Sequence, residues 1–290
     1  MSPIDVTHFS DPGCPWAYSA SPALHVLSWR YGDALRWRLV LIGLTESADQ
    51  YVARGYTPER SALGQKRFFR YGMPFAREAK PRISGTSPAC RVVVAARLRA
   101  PGREESVFRA LQFSQFTTTR LLDDPDDLRA AIADVDGIDA AELVGAIEDD
   151  DVRAAYEEDR AASRSAEGSP TEFQGKAAAT DGPVRYTAPS LLFTDGDRQL
   201  EAGGFQPVEA YDVCIANLDP TLPRREPPDD PAELLAAFPE GVTTQEVAAM
   251  LAHGNDAPDR TAAEDALIEL AAAGRATRTP LGDDALWRPR

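Results

Sequence analysis

Cysteine, histidine and methionine are scarce: three of each in 290 residues. So few cysteines, in odd number, exclude a dense disulfide scaffold and fit a reducing compartment. No pair of histidines or cysteines stands at metal-ligand spacing, so no metal site is expected. No apolar run is long enough to span a bilayer, which argues against a membrane role. The N-terminus has neither the basic start nor the apolar stretch of a signal peptide, so the expected location is cytoplasmic. Positive charge is also short, with 31 Lys+Arg against 46 Asp+Glu and a net charge of −15. That balance argues against nucleic acid and anionic membrane surfaces as partners. No internal repeat period is found.

What the chain does have is ample length for one large or two modest domains, with an ordinary globular composition. The most informative stretch is Asp11-Pro12-Gly13-Cys14-Pro15-Trp16-Ala17-Tyr18. Ile4, Val6 and Phe9 before it read as a strand, and Ala17 to Tyr31 after it as one helix. Pro15 suits a first helical position, where its missing N–H costs nothing. Cys14 then sits at a helix N-terminus, whose free amides and dipole favour a thiolate. The thiolate is the nucleophile, so Cys14 is the candidate catalytic group. The alternative is a small buried cysteine in a tight turn.

Cys14-Pro15-Trp16-Ala17 resembles the active-site motif of the DsbA family of thioredoxin-fold oxidoreductases, with Ala17 where the second cysteine would stand. The run Cys-Pro-Trp-Ala-Tyr also resembles the Ser-Pro-Tyr-x-Tyr signature of kappa-class glutathione transferases and hydroxychromene carboxylate isomerases, with Cys14 at the serine. Tyr186-Thr187-Ala188-Pro189-Ser190-Leu191-Leu192-Phe193 resembles the segment in which thioredoxin folds keep a cis-proline. The resemblance implies that the Ala188–Pro189 loop faces Cys14 and leaves the Ala188 backbone available to a bound thiol peptide. Gly203-Gly204-Phe205-Gln206-Pro207 is similar to the helix start that follows in the DsbA family.

The order of segments implies an α/β thioredoxin fold with a large helical insertion and a small winged-helix-like C-terminal domain. The thioredoxin-like part is read over 1–56 and 183–218, the insertion over 57–182, a Pro-rich linker over 219–230 and the C-terminal domain over 231–290. Leu35 to Ile42 reads as a strand parallel to the first. Residues 163–182 read as a polar loop, and Asp195-Gly196-Asp197 as a hairpin turn. Cys90 and Cys214 read as core residues, and His8 as a core histidine or a neighbour tuning Cys14. The third helix of the last domain, 259–273, is expected to bury Ala262, Ala266, Leu267 and Leu270. Residues 231–290 hold ten acids against five bases, so packing or protein contact is expected there rather than DNA binding.

The resulting expectation is a thiol–disulfide oxidoreductase or thiol-transferase acting through Cys14 by a mixed disulfide. Pro15, Trp16, Ala188 and Pro189 would bind substrate. No tightly bound cofactor is expected. With no resolving cysteine, a small thiol such as glutathione or mycothiol would release the product. The partner would be a small thiol or disulfide, and a homo-oligomer is compatible with the sequence. Two alternatives stand beside this. One is a small-thiol-dependent isomerase or transferase of the kappa type, with Cys14 in the serine's role. The other is a non-catalytic redox sensor or scaffold.

Overall fold

The computed structural model describes residues 3–180, 182–254 and 256–290. Met1, Ser2 and Asp181, which fall within the expected segments 1–56 and 57–182, lie outside the described residues, as does Asn255.

The chain begins with β1 (Ile4–Ser10), then α1 (Pro15–Ser19), α2 (Ser21–Tyr31) and β2 (Leu35–Leu41). The single helix expected from Ala17 to Tyr31 is two helices, because Pro22 falls in the first turn of α2 and contributes no N–H to a continuous ladder. β1 and β2 pair in parallel, Ile4 opposite Leu35 and Ser10 opposite Leu41. α3 (Ala48–Ala53), which the sequence reading did not foresee, and α4 (Pro58–Gln65) follow. α4 starts at Thr57, whose side chain accepts from the Arg60 amide.

α5 (Ser87–Arg99), α6 (Glu104–Thr117), α7 (Pro125–Ile132), α8 (Ala140–Gly145) and α9 (Asp150–Ser163) form the helical region. Asp124 and Asp139 cap α7 and α8 through two amides each. Their apolar faces bury Val92, Val93, Leu111, Ile132 and Tyr156 together with Leu39 and Leu41 of β2. β2 is an edge strand, and its open edge is closed by side chains. Asp159 accepts from the Leu41 amide at 3.0 Å, and Arg97 donates to the Leu39 carbonyl at 3.0 Å.

The stretch expected to be loop holds α10 (Pro170–Phe173) and β3 (Ala177–Ala178), which pairs with β4 (Arg185–Tyr186). β5 (Ser190–Asp195) and β6 (Arg198–Ala202) form the expected hairpin, with Gly196 at positive φ in its turn. The main sheet has the order β2-β1-β5-β6, with β5 antiparallel to both neighbours. α11 (Val208–Leu218) packs Tyr211, Ile215 and Leu218 onto it, with Cys214 partly buried at the margin.

The C-terminal residues form α12 (Ala232–Ala237), β7 (Val242–Thr243), α13 (Thr244–Leu251), α14 (Arg260–Ala272), β8 (Ala276–Leu281) and β9 (Asp284–Pro289). Their three-stranded sheet has the order β7-β9-β8. Thr243 and Glu246 make a capping box at the start of α13. Trp287, Val247, Leu267 and Leu234 share a core with Val26 and Trp29 of α2, so this part is packed on the first helices. The buried stripe of α14 is Ala263, Leu267 and Leu270. Ala262 is exposed, correcting the expected core face by one position. Among the described residues, no helix is long and apolar enough to cross a membrane.

Candidate functional site

Cys14 is the residue that caps α1, in extended conformation, with Pro15 opening the helix. The turn before it is fixed by Asp11, which is fully buried. One Asp11 oxygen accepts from the Gly13 amide at 2.8 Å. The other accepts from the Leu44 amide at 2.8 Å and the Thr86 hydroxyl at 2.9 Å. Asp11 thus ties the cysteine turn to the chain after β2 and to the start of α5. The Cys90 thiol faces the same oxygen at 3.6 Å, so Cys90 is core, as expected.

The Cys14 sulfur lies 3.2 Å from the Ala188 carbonyl oxygen, to which its S–H donates. The Ala188–Pro189 bond is cis. The long separation in sequence is therefore closed at the sulfur. The Ala188 carbonyl accepts from Cys14, and Ala188 is 7% exposed. Cys14 and Ala188 share an apolar cluster with Phe9, Ala17 and Tyr186, whose ring stacks on Phe9.

The expected thiolate is not what this setting gives. Cys14 is only 6% exposed. Burial pushes its thiol up to about 12. The Ala17 amide pulls the other way, the Asp11 charge adds to the rise, and the Trp16 amide and Arg185 charge oppose it. The helix start does favour the anion, as the sequence suggested. It loses to removal of the sulfur from water, which sequence spacing does not report.

Of the other expected residues, Ala188 meets the sulfur directly. Pro15 and Trp16 line a cavity of about 370 Å³, and Trp16 also packs against the Cys14 cluster. Trp16 meets Phe68 edge-on at 4.8 Å and leans on Phe205 at 5.4 Å. Tyr18 stacks on Phe116 and donates to the Pro74 carbonyl at 2.9 Å. The stretch from Lys66 to Glu78 supplies one wall of the cavity, including Arg67, Phe68 and Ala76.

That wall is held from behind by the C-terminal residues. Asp283 accepts from the Phe75 amide at 2.9 Å and pairs with Arg77 at 2.6 Å. The Thr243 hydroxyl contacts the Met73 sulfur at 3.6 Å. Gly282, at positive φ, sits where a Cβ would come within 2.9 Å of the Phe75 carbonyl oxygen. Glu246 of α13 is fully buried, and Arg109 of α6 grips it at 2.7 and 2.8 Å. Ser21 of α2 donates to the same carboxylate at 2.5 Å. None of these long-range partners could be read from the sequence. Asp11 had one signal, its place at the end of β1 inside the motif.

His8 is buried on β1, with its ring edge-on to Phe108. Its Nε2 has no hydrogen-bond partner among the described residues, and burial pushes the imidazole down to about 4. It is a neutral core histidine.

Comparison with known proteins bears on the same region. The model of the DSBA-like thioredoxin domain matches residues 5–187. No curated protein sequence matches the chain. Among solved structures, a candidate protein disulfide isomerase from Nitrosomonas europaea is similar at TM-score 0.56 and 19% identity, over 74% of this chain and 97% of that one. A candidate DsbA oxidoreductase from Streptomyces coelicolor is similar at TM-score 0.55 and 20% identity, over 78% and 93%. The cytosolic disulfide reductase DsbM from Pseudomonas aeruginosa is similar at TM-score 0.51 and 18% identity, over 75% and 98%. At such identities the likeness is one of fold. Each of these proteins is spanned almost whole, while about a quarter of the present chain has no counterpart in it.

Proposed function

The chain belongs to the DSBA-like thioredoxin-domain family, and from that premise we propose that it is a thiol–disulfide oxidoreductase or thiol-transferase working through Cys14 alone. The observation that carries this reading is the Cys14 sulfur set 3.2 Å from the Ala188 carbonyl, at the start of a helix. Cys14 loses its proton to solvent, and the thiolate attacks a disulfide RS–SR′. A Cys14–SR mixed disulfide forms and R′S⁻ leaves, taking up a proton. A second small thiol then attacks the SR sulfur, forms a new disulfide and returns Cys14 as a thiolate. No electrons are left on the protein. Ala17 stands where an internal resolving thiol would be, so the second thiol comes from solution. Glutathione and mycothiol are of the right chemistry, and DsbM has been solved with GSH.

Because the resting thiol is neutral, exchange is slow at neutral pH and speeds up as pH rises. The test is turnover of a small aromatic disulfide with glutathione or mycothiol. Cys14→Ser abolishes it and traps no mixed disulfide. A Cys14→Ser enzyme with full turnover overturns the reading.

One observation favours a second reading. Cys14 acts here as an S–H donor with a raised pKa, as a serine hydroxyl would. In a kappa-type isomerase or transferase the ionised sulfur would belong to the bound small thiol, and Cys14 would only orient it. Tight glutathione or mycothiol binding, slow Cys14 alkylation and persistent turnover in Cys14→Ser together identify that case.

We place the protein in the cytosol. The sparse, odd cysteine count supports this, as does the fold it shares with a reductase described as cytosolic. We read the C-terminal part as winged-helix-like from its order helix, strand, helix, helix, strand, strand. Its work is packing rather than DNA reading. α14 presents Asp265 and Glu269 outward, and phosphates would be repelled. Its contacts with Phe75, Met73 and Arg77 make it a brace for the cavity wall.

A further inference from the structure

The cavity beside Trp16 has a charge opposite to that of the molecule. The protein carries −15, yet the cavity is lined by Arg60, Arg67, Lys80 and Arg82 against the single acid Glu78. Arg82 is neutralised from outside by Asp123 at 2.8 Å. Among the described residues, Arg60, Arg67 and Lys80 pair with no carboxylate. Arg67 lies over the faces of Phe68 and Trp16, 4.9 and 5.9 Å from their centroids. The Arg60 guanidinium donates to the Gly55 carbonyl at 3.0 Å. Lys80 donates to the Thr118 and Arg120 carbonyls in the connection between α6 and α7. Three lining cations against one lining acid leave an excess of about two positive charges in the wall, with Arg67 lying against its aromatic rings. Burial also pushes the Lys80 ammonium down to about 8, against the Asp127 charge, which acts to raise it without a direct ion pair.

We propose that this cavity binds a small organic dianion, a phosphate monoester or a dicarboxylate, with its apolar part against Trp16 and Phe68 and its charges on Arg60, Arg67 and Lys80. The volume suits a ligand of metabolite size. Pro15 and Trp16 form part of the lining, so the ligand sits next to the cysteine turn. The site stands on charge and shape and needs no chemistry at Cys14.

The test is calorimetric titration of the full chain with phenyl phosphate and phthalate, with benzoate and benzyl alcohol as singly charged and neutral references. At least one dianion binds ten-fold or more tightly than benzyl alcohol, with benzoate between them, and its affinity falls as salt rises. Whichever dianion binds more tightly identifies phosphate or dicarboxylate as the preferred group. Lys80→Met and Arg67→Gln each weaken the dianion about ten-fold and leave benzyl alcohol unchanged. Arg82→Gln, whose charge is already paired, changes little. Cys14→Ser binds as the native chain does, so failure of the thiol reading leaves this result untouched. Dianions binding no better than benzyl alcohol, or a Lys80→Met/Arg67→Gln chain binding them like the native one, overturns the proposal.

Discussion

Cys14 and Glu246 are both buried ionisable groups at helix starts, and they end in opposite charge states. Burial pushes each toward its neutral form. At Glu246 the Arg109 charge, followed by His25 and the Arg109 and Ser21 hydrogen bonds, overcomes burial and holds the carboxyl well below its usual range. At Cys14 two amides and the Arg185 charge face both burial and the Asp11 charge, and the thiol stays protonated. A helix start alone does not keep a buried group ionised. A cation in hydrogen-bond contact does. The molecule supplies one where the C-terminal part is fastened and withholds one where sulfur chemistry would begin.

Removing that cation should erase the contrast and produce the largest effect. Arg109→Met leaves Glu246 buried without its counter-charge and costs about 3–5 kcal/mol. Urea unfolding measures it, and the double variant Arg109→Met/Glu246→Met recovers much of the loss. A cost below about 1 kcal/mol for Arg109→Met would show that the ion pair does not fasten the junction. The sign of the pH effect follows from the lowered Glu246 pKa. Its stabilisation is complete above the unfolded carboxyl value, about 4.3, and is lost as the solution becomes more acid.

His8 sharpens the comparison, since it is buried with no counter-charge at all. Its folded pKa is lowered from 6.5 to about 4. The unfolded chain takes up a proton in that window and the folded chain does not. Stability is therefore retained above 6.5 and falls as pH drops toward 4, by about 3 kcal/mol in total. His25, lowered by burial and then by the Arg109 charge against the opposing Glu246 charge, adds to the same slope. His8→Gln should flatten the slope of urea stability between pH 6.5 and 4. An unchanged slope would place the proton uptake elsewhere.

Gly13→Ala tests how tightly the cysteine turn is built. A Cβ there would lie 2.5 Å from the Thr86 methyl and 3.2 Å from an Asp11 carboxylate oxygen. Overpacking of this kind costs about 1–3 kcal/mol. Thermal unfolding reads the cost. A variant as stable as the native chain would mean that the turn has slack to absorb a methyl group.

The parts visible in the sequence are those carried by local pattern. The Asp195-Gly196-Asp197 hairpin and the Pro15 helix start are each set within a few residues, and each is read from the sequence. Pairing Cys14 with Ala188 needed the resemblance, because no periodicity links residues that far apart. The thiol's raised pKa is not legible in the sequence because it comes from burial of Cys14 in a cluster with Phe9, Tyr186 and Ala166, which is tertiary. The cation-lined cavity was missed for a related reason. Arg60, Arg67, Lys80 and Arg82 come from α4, the segment after it and the approach to α5, and they share one cavity wall only in the folded chain, where Asp283 holds the Phe75 amide. Ala262 was chosen over Ala263 because an alanine-rich helix gives little contrast for setting the phase of its buried stripe.

The smallest effect isolates the adverse partner at the sulfur. The Asp11 charge raises the Cys14 pKa, so Asp11→Asn should lower it and speed alkylation of Cys14 by iodoacetamide at pH 9. The substitution also disturbs the turn, because an amide cannot accept from Gly13, Leu44 and Thr86 as a carboxylate does. Thr86→Val separates the two causes, since it removes one hydrogen bond to Asp11 and keeps the charge. Faster alkylation in Asp11→Asn but not in Thr86→Val assigns the effect to charge. Equal acceleration in both assigns it to loosening of the turn and admission of water to the sulfur. In that event the asymmetry between Cys14 and Glu246 would come from solvent exclusion alone, with the neighbouring carboxylate serving only to shape the loop.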